Sequence, residues 1–507
     1  MIADTIHASH TARREGRVLP MAHRIVSGSD DRLDRDPVTG RNEYGTPPLP
    51  VAGEIRFSSS TATAVGPRGW QALQDIEATL GQGGRWNRAG LSALCGSIRS
   101  RLQARMGIDG SATILCPSGT DAELLMLGTV ERATGGPITN IVMAPQESGS
   151  GVMAACEGRH FRAHTCLGMA VEEGTRLSGW EAADIRTDAV DIRTPEGTVR
   201  SRDDLDTEIT GLARAALAEG RTVLLHVLDT SRTGLQVSTR GTAERLMQAA
   251  PERVHVVVDA CQLRCDAAQM RDDLTRGFAV IVSGSKFAGG PPFSGALFLP
   301  PALAVAMQSG PPLTEGLRDY SAAHDWPKAL RETLCDGMVP HNDGAALRWV
   351  AALAELDALD RIDPALAETI TDRFEAEIRS RTEPVPFATP LFHMGDDTPR
   401  ARSIVPLVAR RPDGSPLSLA QAADLHRALR TPLGSAPDAI LRRIVNIGQP
   451  VVVGERTVLR ICIDAPRIVD IASRIGGDRS LDSAFAETLA DLDDLFAKWT
   501  ALVEGKM

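Results

Sequence analysis

Lysine is rare in this chain: its 55 Lys and Arg residues include only four lysines, Lys286, Lys328, Lys498 and Lys506. A guanidinium stays protonated and forms no imine, whereas an amine does. Lys286 is kept at the end of an apolar run, FAVIVSGSK (278–286), just before the turn FAGGPPFSG. Asp259 lies near the end of a second such run, VHVVVDA (254–260). A carboxylate there is costly unless a cation meets it. A cationic ring nitrogen would serve, and a plain helix cap is the alternative. Gln262 follows, within reach of a ring substituent. Pro117-Ser118-Gly119-Thr120 joins an apolar run to a helical one. Backbone N–H groups at a helix start, with hydroxyls beside them, bind phosphate, although the same residues also make ordinary N-caps. The run HVLDTSRTG (226–234) again sets polar side chains just past an apolar strand. Taken together, these four loops suggest one cofactor.

The elements that must position these residues are short apolar strands alternating with helices. Strand-like runs occur at 113–116, 140–144, 222–229, 254–260, 278–284 and 295–299. Helical spacing appears at 90–106, after Thr120, at 205–218 and at 242–250. Continuous apolar strands between helices predict a mostly parallel sheet covered on both faces, with functional loops at the strands' carboxyl ends. Beyond about residue 300 the pattern changes. A helix at 343–359 is long enough to link two units. Helix 362–382, strands near 403–409 and 456–464, and a helix at 479–503 predict a smaller α+β domain. The expected division is an N-terminal extension (1–50), partly ordered at best, a large domain (51–340) and a small C-terminal domain (341–507). The patch SSSTATA (58–64) is of low complexity and too short for a linker.

Composition narrows the function. Hydrophobic residues make up 43% and charged residues 24% of the 507 positions, ordinary globular proportions. The formal net charge of -10 argues against a nucleic-acid-binding surface. No apolar run is long enough to cross a membrane. The first residues carry no basic start followed by an apolar core, so no secretory signal is expected. Eight cysteines form no CxxC pair, which points to a reducing cytoplasm and to no metal site. A Rossmann-like nucleotide site is excluded for want of GxGxxG or GxxxxGK[ST] after a strand.

The order SGT…D..Q…SGSK…GG.P.SG resembles the fold-type I pyridoxal-phosphate enzymes, within them the class V aminotransferase branch that includes cysteine desulfurases and kynureninases. The resemblance implies a three-layer αβα large domain, a smaller α+β domain, pyridoxal 5'-phosphate as cofactor and a homodimer. It implies that Lys286 carries the cofactor and that Asp259 keeps the pyridine nitrogen protonated. Gln262 matches a residue near the ring hydroxyl. Ser118, Gly119 and Thr120 match the phosphate cup, which Ser283 and Ser285 close. Ser231 stands where the branch often has asparagine. Arg460, in RTVLRICI, matches the arginine that holds a substrate carboxylate.

Two departures bear on the reaction. Where the branch often stacks a histidine on the ring, this chain has Pro145-Gln146-Glu147-Ser148, so Ser148 or Glu147 is expected there. No cysteine lies between Cys335 and Cys462, so the nucleophile of a desulfurase is missing. The expected activity is that of an aminotransferase-like enzyme on an amino acid or related amine. A lyase (β-elimination, decarboxylation or retro-aldol cleavage) is the alternative, and a non-catalytic cofactor-binding protein the lesser one.

Overall fold

The computed structural model describes residues 20–80, 88–108, 111–392, 398–433, 439–476 and 480–505. Lys506 and the first nineteen residues of the expected extension lie outside them. The strands are β1 (Ile55–Phe57), β2 (Ala112–Cys116), β3 (Ile138–Met143), β4 (Ile185–Val190), β5 (Thr222–Leu228), β6 (Val254–Ala260), β7 (Ala279–Ser283), β8 (Gly295–Leu299), β9 (Ala388–Pro390), β10 (Ile404–Ala409), β11 (Val445–Val453) and β12 (Arg456–Cys462).

The larger sheet has seven strands in the order β2-β8-β7-β6-β5-β3-β4. Its neighbours are parallel except at β8, which runs antiparallel to both β2 and β7. Alternate residues feed two cores. Val256, Val258, Val280 and Val282 pack with helices Arg88–Met106, Arg202–Ala218, Arg240–Ala249 and Ala267–Thr275. Val257, Ala279 and Ile281 pack on the other face with helix Gly119–Thr134. Burial on both faces is why these strands read as unbroken apolar runs. The result is the expected three-layer αβα arrangement. Because β2, β3, β5, β6 and β7 share one direction, the loops after them meet at one edge.

The smaller sheet runs β1-β11-β12-β10-β9. It is antiparallel except where β1 pairs in parallel with β11. Helices Pro364–Thr382, Leu419–Leu429, Ala465–Ser473 and Leu481–Val503 cover it around Phe374, Phe485 and Trp499. One strand departs from expectation: β1, assigned by sequence to the large unit, belongs to this sheet. The helix Asp343–Leu359 is buried along most of its length and joins the two units. Its Trp349 Nε1 donates to Gly295 O (2.7 Å), and its Glu355 accepts from Arg68 (2.7 Å). No helix among the described residues is long and apolar enough to cross a membrane.

Residues 20–50 are better anchored than their lack of periodicity suggests. Arg348, fully buried, donates to Ile25 O (3.0 Å), Ser27 O (2.7 Å) and Gly28 O (3.0 Å), and to Phe293 O (2.6 Å). One guanidinium therefore pins the segment to the turn after Lys286. Hydrogen bonds to carbonyls hold it where an apolar stripe does not.

Candidate functional site

Where the loops meet, they surround a cavity of about 260 Å³. Ser118, Gly119, Thr120, Asp259, Ser283, Ser285 and Lys286 all line it. Ser118 caps the helix Gly119–Thr134, its hydroxyl accepting from Asp121 N–H (3.2 Å). Gly119 is required here, since a Cβ would collide with Cys261 Sγ. The Ser283 and Ser285 hydroxyls lie 2.6 Å apart. Asp259 Oδ1 accepts from Cys261 N–H (2.9 Å). Lys286 leaves β7 into the cavity, and its ammonium has no hydrogen-bond partner among the described residues. Burial pushes its pKa down, with Cys261 and Asp259 opposing.

Four of the expected residues do not line the cavity. Ser148 Oγ donates to Pro145 O (3.1 Å), and Gly149, Ser150 and Val152 form that part of the wall. Glu147, the other residue considered for the ring position, accepts from Ser231 Oγ (2.6 Å), Thr233 Oγ1 (2.5 Å) and Arg193 Nε. It is spent on the fold, and with it Ser231. Gln262 Nε2 donates to Ser60 O (3.1 Å), while its Oε1 accepts from Arg264 (2.9 Å). It holds the wall segment Ser60–Ala62 rather than facing the space. Arg460 is 1% exposed. Its Nη2 donates to Thr61 Oγ1 (3.0 Å) and Gln449 O, and its Nη1 to Arg232 O (3.3 Å). Burial, then Arg232, pushes its pKa down to about 9.

Several lining residues escaped the sequence analysis: Arg32 and Tyr44 from the N-terminal segment, Thr61 from the low-complexity patch, Arg232, Phe293 and Gln449. Arg32 makes a bidentate pair with Asp30 (2.8 and 2.6 Å) and sits 4.6 Å from the Phe293 ring centroid. Its Nη2 lies 3.4 Å from Ser118 Oγ. Phe293 holds a left-handed backbone (φ 71°), a strained position for an aromatic residue. Arg232 and Phe293 carried a sequence signal, as members of the singled-out HVLDTSRTG and FAGGPPFSG runs.

One trio of metal-type side chains is buried nearby: Glu123, Cys156 and His226. His226 Nδ1 pairs with Glu123 Oε2 (2.8 Å) and Nε2 with Asn140 Oδ1 (3.0 Å), so both ring nitrogens are occupied within the fold.

No protein-family model and no curated protein matches the sequence. Solved structures do. The NifS-like protein from Rickettsia africae ESF-5 aligns at TM-score 0.50 and 10% identity, over 88% of this chain and 99% of that one. A second NifS-like protein aligns at TM-score 0.51 and 12% identity, over 89% of this chain and 99% of its own. The chain has the NifS-like fold. This is the fold-type I architecture that the motifs implied, at an identity that speaks for the fold alone.

Proposed function

We propose that the chain is a pyridoxal-phosphate-dependent enzyme acting on an amino acid or related amine, in aminotransferase-like fashion. The observation that carries this reading is the Lys286 amine, enclosed without a partner in a cavity that also presents Asp259 and a helix N-terminus bearing hydroxyls. The residues fit the cofactor. Gly119 and Thr120 at the helix start, with Ser118, Ser283 and Ser285, would hold the phosphate. Asp259 would face the pyridine nitrogen, where a half-buried carboxylate gains from a positive partner. When bound, the cofactor supplies an aldehyde and an electron-withdrawing ring.

The chain's own part is to hold groups and move protons. A depressed pKa leaves more of the Lys286 amine neutral near pH 7, as a nucleophile and a base at Nζ both require. The Cys261 N–H fixes the orientation of the Asp259 carboxyl group (2.9 Å). The NifS-like fold does not bring a thiol nucleophile with it. Cys261 is the lining cysteine among the described residues, and burial holds its pKa well above the ordinary thiol range. That favours an aminotransferase over a desulfurase. The resemblance further suggests a homodimer, with sedimentation velocity as the check.

Borohydride reduction of the purified, visibly absorbing protein, followed by peptide mapping, is expected to find a pyridoxyl group on Lys286. A label on Lys328 would sink the assignment. Transfer of the amino nitrogen to a second oxo acid, with no ammonia released, then separates transamination from a lyase outcome.

A further inference from the structure

Arg232, like Lys286, is a cation lining the cavity whose side chain makes no hydrogen bond or ion pair among the described residues. Its backbone is fixed from both sides. The Arg232 N–H donates to Glu147 O (2.9 Å), and its carbonyl accepts from Arg460 Nη1 (3.3 Å). Gly234 completes the turn with φ 87°, its N–H donating to Ser231 O (3.0 Å). The guanidinium that this frame presents to the cavity has no hydrogen bond or ion pair among the described residues. The acids near it make no hydrogen bond or ion pair with it among the described residues. Glu147 is held by Arg193, Ser231 and Thr233, and Asp259 Oδ1 accepts from Cys261 N–H. Burial accordingly lowers the Arg232 pKa, with Tyr44, Asp259 and Glu147 opposing and Arg32 adding to the fall. Arg32, the other lining arginine, is closed on Asp30.

A planar fork of N–H donors left open in an enclosed space matches a carboxylate, which it can grip through two parallel bonds. The proposed phosphate cradle lies apart from this loop, at the start of helix Gly119–Thr134 with its own hydroxyls and N–H groups. We propose that Arg232 receives the carboxylate of the substrate, and that Arg460 stands behind it as a positioning residue. The role of Arg460 follows from its bonds: the three acceptors it engages, on Thr61, Gln449 and Arg232, belong to residues that line the cavity. The proposal rests on the reading of this cavity as a pyridoxal-phosphate site. It leaves the carboxylate as either that on the α-carbon or one farther along the substrate.

The test uses the holoenzyme and probes that react with the cofactor aldehyde whatever the natural substrate. Aminooxyacetate and 4-aminooxybutyrate carry a carboxylate at two distances from the reacting nitrogen, and O-methylhydroxylamine carries none. Stopped-flow absorbance gives a rate constant for each. Wild type is expected to favour one of the acids over O-methylhydroxylamine. The acid preferred, shorter or longer, distinguishes a near carboxylate from a far one. Arg232→Gln is expected to cut that preference by about tenfold or more, with the O-methylhydroxylamine rate, the visible spectrum and the melting temperature unchanged. Arg232→Lys, which keeps the charge without the fork, should fall between. Either of two results overturns the proposal: a wild type indifferent to the carboxylate, or an Arg232→Gln that keeps the preference while Arg460→Gln loses it. A protein with neither visible absorbance nor reaction with O-methylhydroxylamine would instead refute the cofactor reading itself.

Discussion

Lys498, in the last helix, donates to the carbonyls of Leu429 (2.9 Å), Thr431 (2.9 Å) and Arg443 (2.5 Å), so each ammonium N–H has an acceptor. Lys286, leaving β7, has none among the described residues. Burial lowers the pKa of both, that of Lys498 to about 8. Rarity alone does not tell them apart, because both survive in a chain that otherwise uses arginine. What separates them is whether the fold consumes their hydrogen-bonding capacity. Three carbonyls around an ammonium make a clasp for the C-terminal helix. An amine with no acceptor among the described residues keeps its hydrogen-bonding capacity free, as the proposed role of Lys286 requires. Arg460 and Arg232 repeat the contrast in part: Arg460 bonds the walls through both Nη atoms while its Nε has no partner, and the Arg232 guanidinium makes no bond among the described residues.

The largest effect should come from removing the open lysine. Lys286→Ala is expected to abolish the borohydride label and to lower turnover by at least about 10³-fold, with the melting temperature little changed. Lys498→Met should leave label and turnover intact. If Lys498→Met removed the label, the contrast would fail. Asp259→Asn comes next. It keeps the shape but removes the charge proposed to meet the pyridine nitrogen, so cofactor should still bind while turnover drops by about 10²-fold or more. Near-normal turnover would take Asp259 out of the chemistry.

Stability should move the other way. Lys498→Met leaves three carbonyls without their donor, and a buried unsatisfied group costs about 1–3 kcal/mol. Allowing for water reaching part of the site, a loss of ~3 kcal/mol in urea unfolding is expected, with kcat/KM unchanged. A loss below ~0.5 kcal/mol would mean that the clasp is not structural.

The fold was readable wherever burial on both faces makes strands uniformly apolar. VHVVVDA and GALFL coincide with β6 and β8, and the helix Asp343–Leu359 was read to its ends. β4 was missed because IRTDAV is buried only at its two ends, and β1 because three residues carry no period. The cavity position of Lys286, Asp259 and the Ser118–Thr120 loop could be read because parallel strands deliver their carboxyl ends to one edge. Arg32, Tyr44 and Thr61 could not be. They reach the cavity from segments ordered by hydrogen bonds such as those of Arg348, which leave no periodic trace. For Arg460 the strand was legible but not the partners its side chain finds, and those partners turn it from the cavity into the wall.

The smallest expected effect concerns Asp121, one turn into the helix that Ser118 caps. Ser118 Oγ donates to Asp121 Oδ2, so a hydroxyl expected in the phosphate cradle is spent on a carboxylate. Burial, then Asp30, raises the Asp121 pKa from 3.8 to about 7, with Arg32 and Ser118 opposing. The folded pKa lies above the unfolded one, so the favourable contribution is full below about pH 4 and is lost as pH rises through about 7. Below that point a protonated Asp121 can itself donate to Ser118 Oγ, which frees the serine proton for a phosphate oxygen. Above it the carboxylate takes the serine proton back and repels the dianion. Phosphate-dependent affinity should therefore fall as pH rises from 6 to 8.5. Comparing pyridoxal phosphate with pyridoxal at each pH cancels the titration of Lys286, which both ligands share. The ratio of their affinities is expected to drop by about 3–10-fold across that range in wild type. In Asp121→Asn, whose amide donates to Ser118 at any pH, the ratio should lose this fall and follow only the phosphate's own second ionisation at about pH 6. A wild-type ratio that rises with pH, or an unchanged slope in Asp121→Asn, would show that Asp121 belongs to the satisfied side of the comparison with Lys498 rather than to the phosphate cradle.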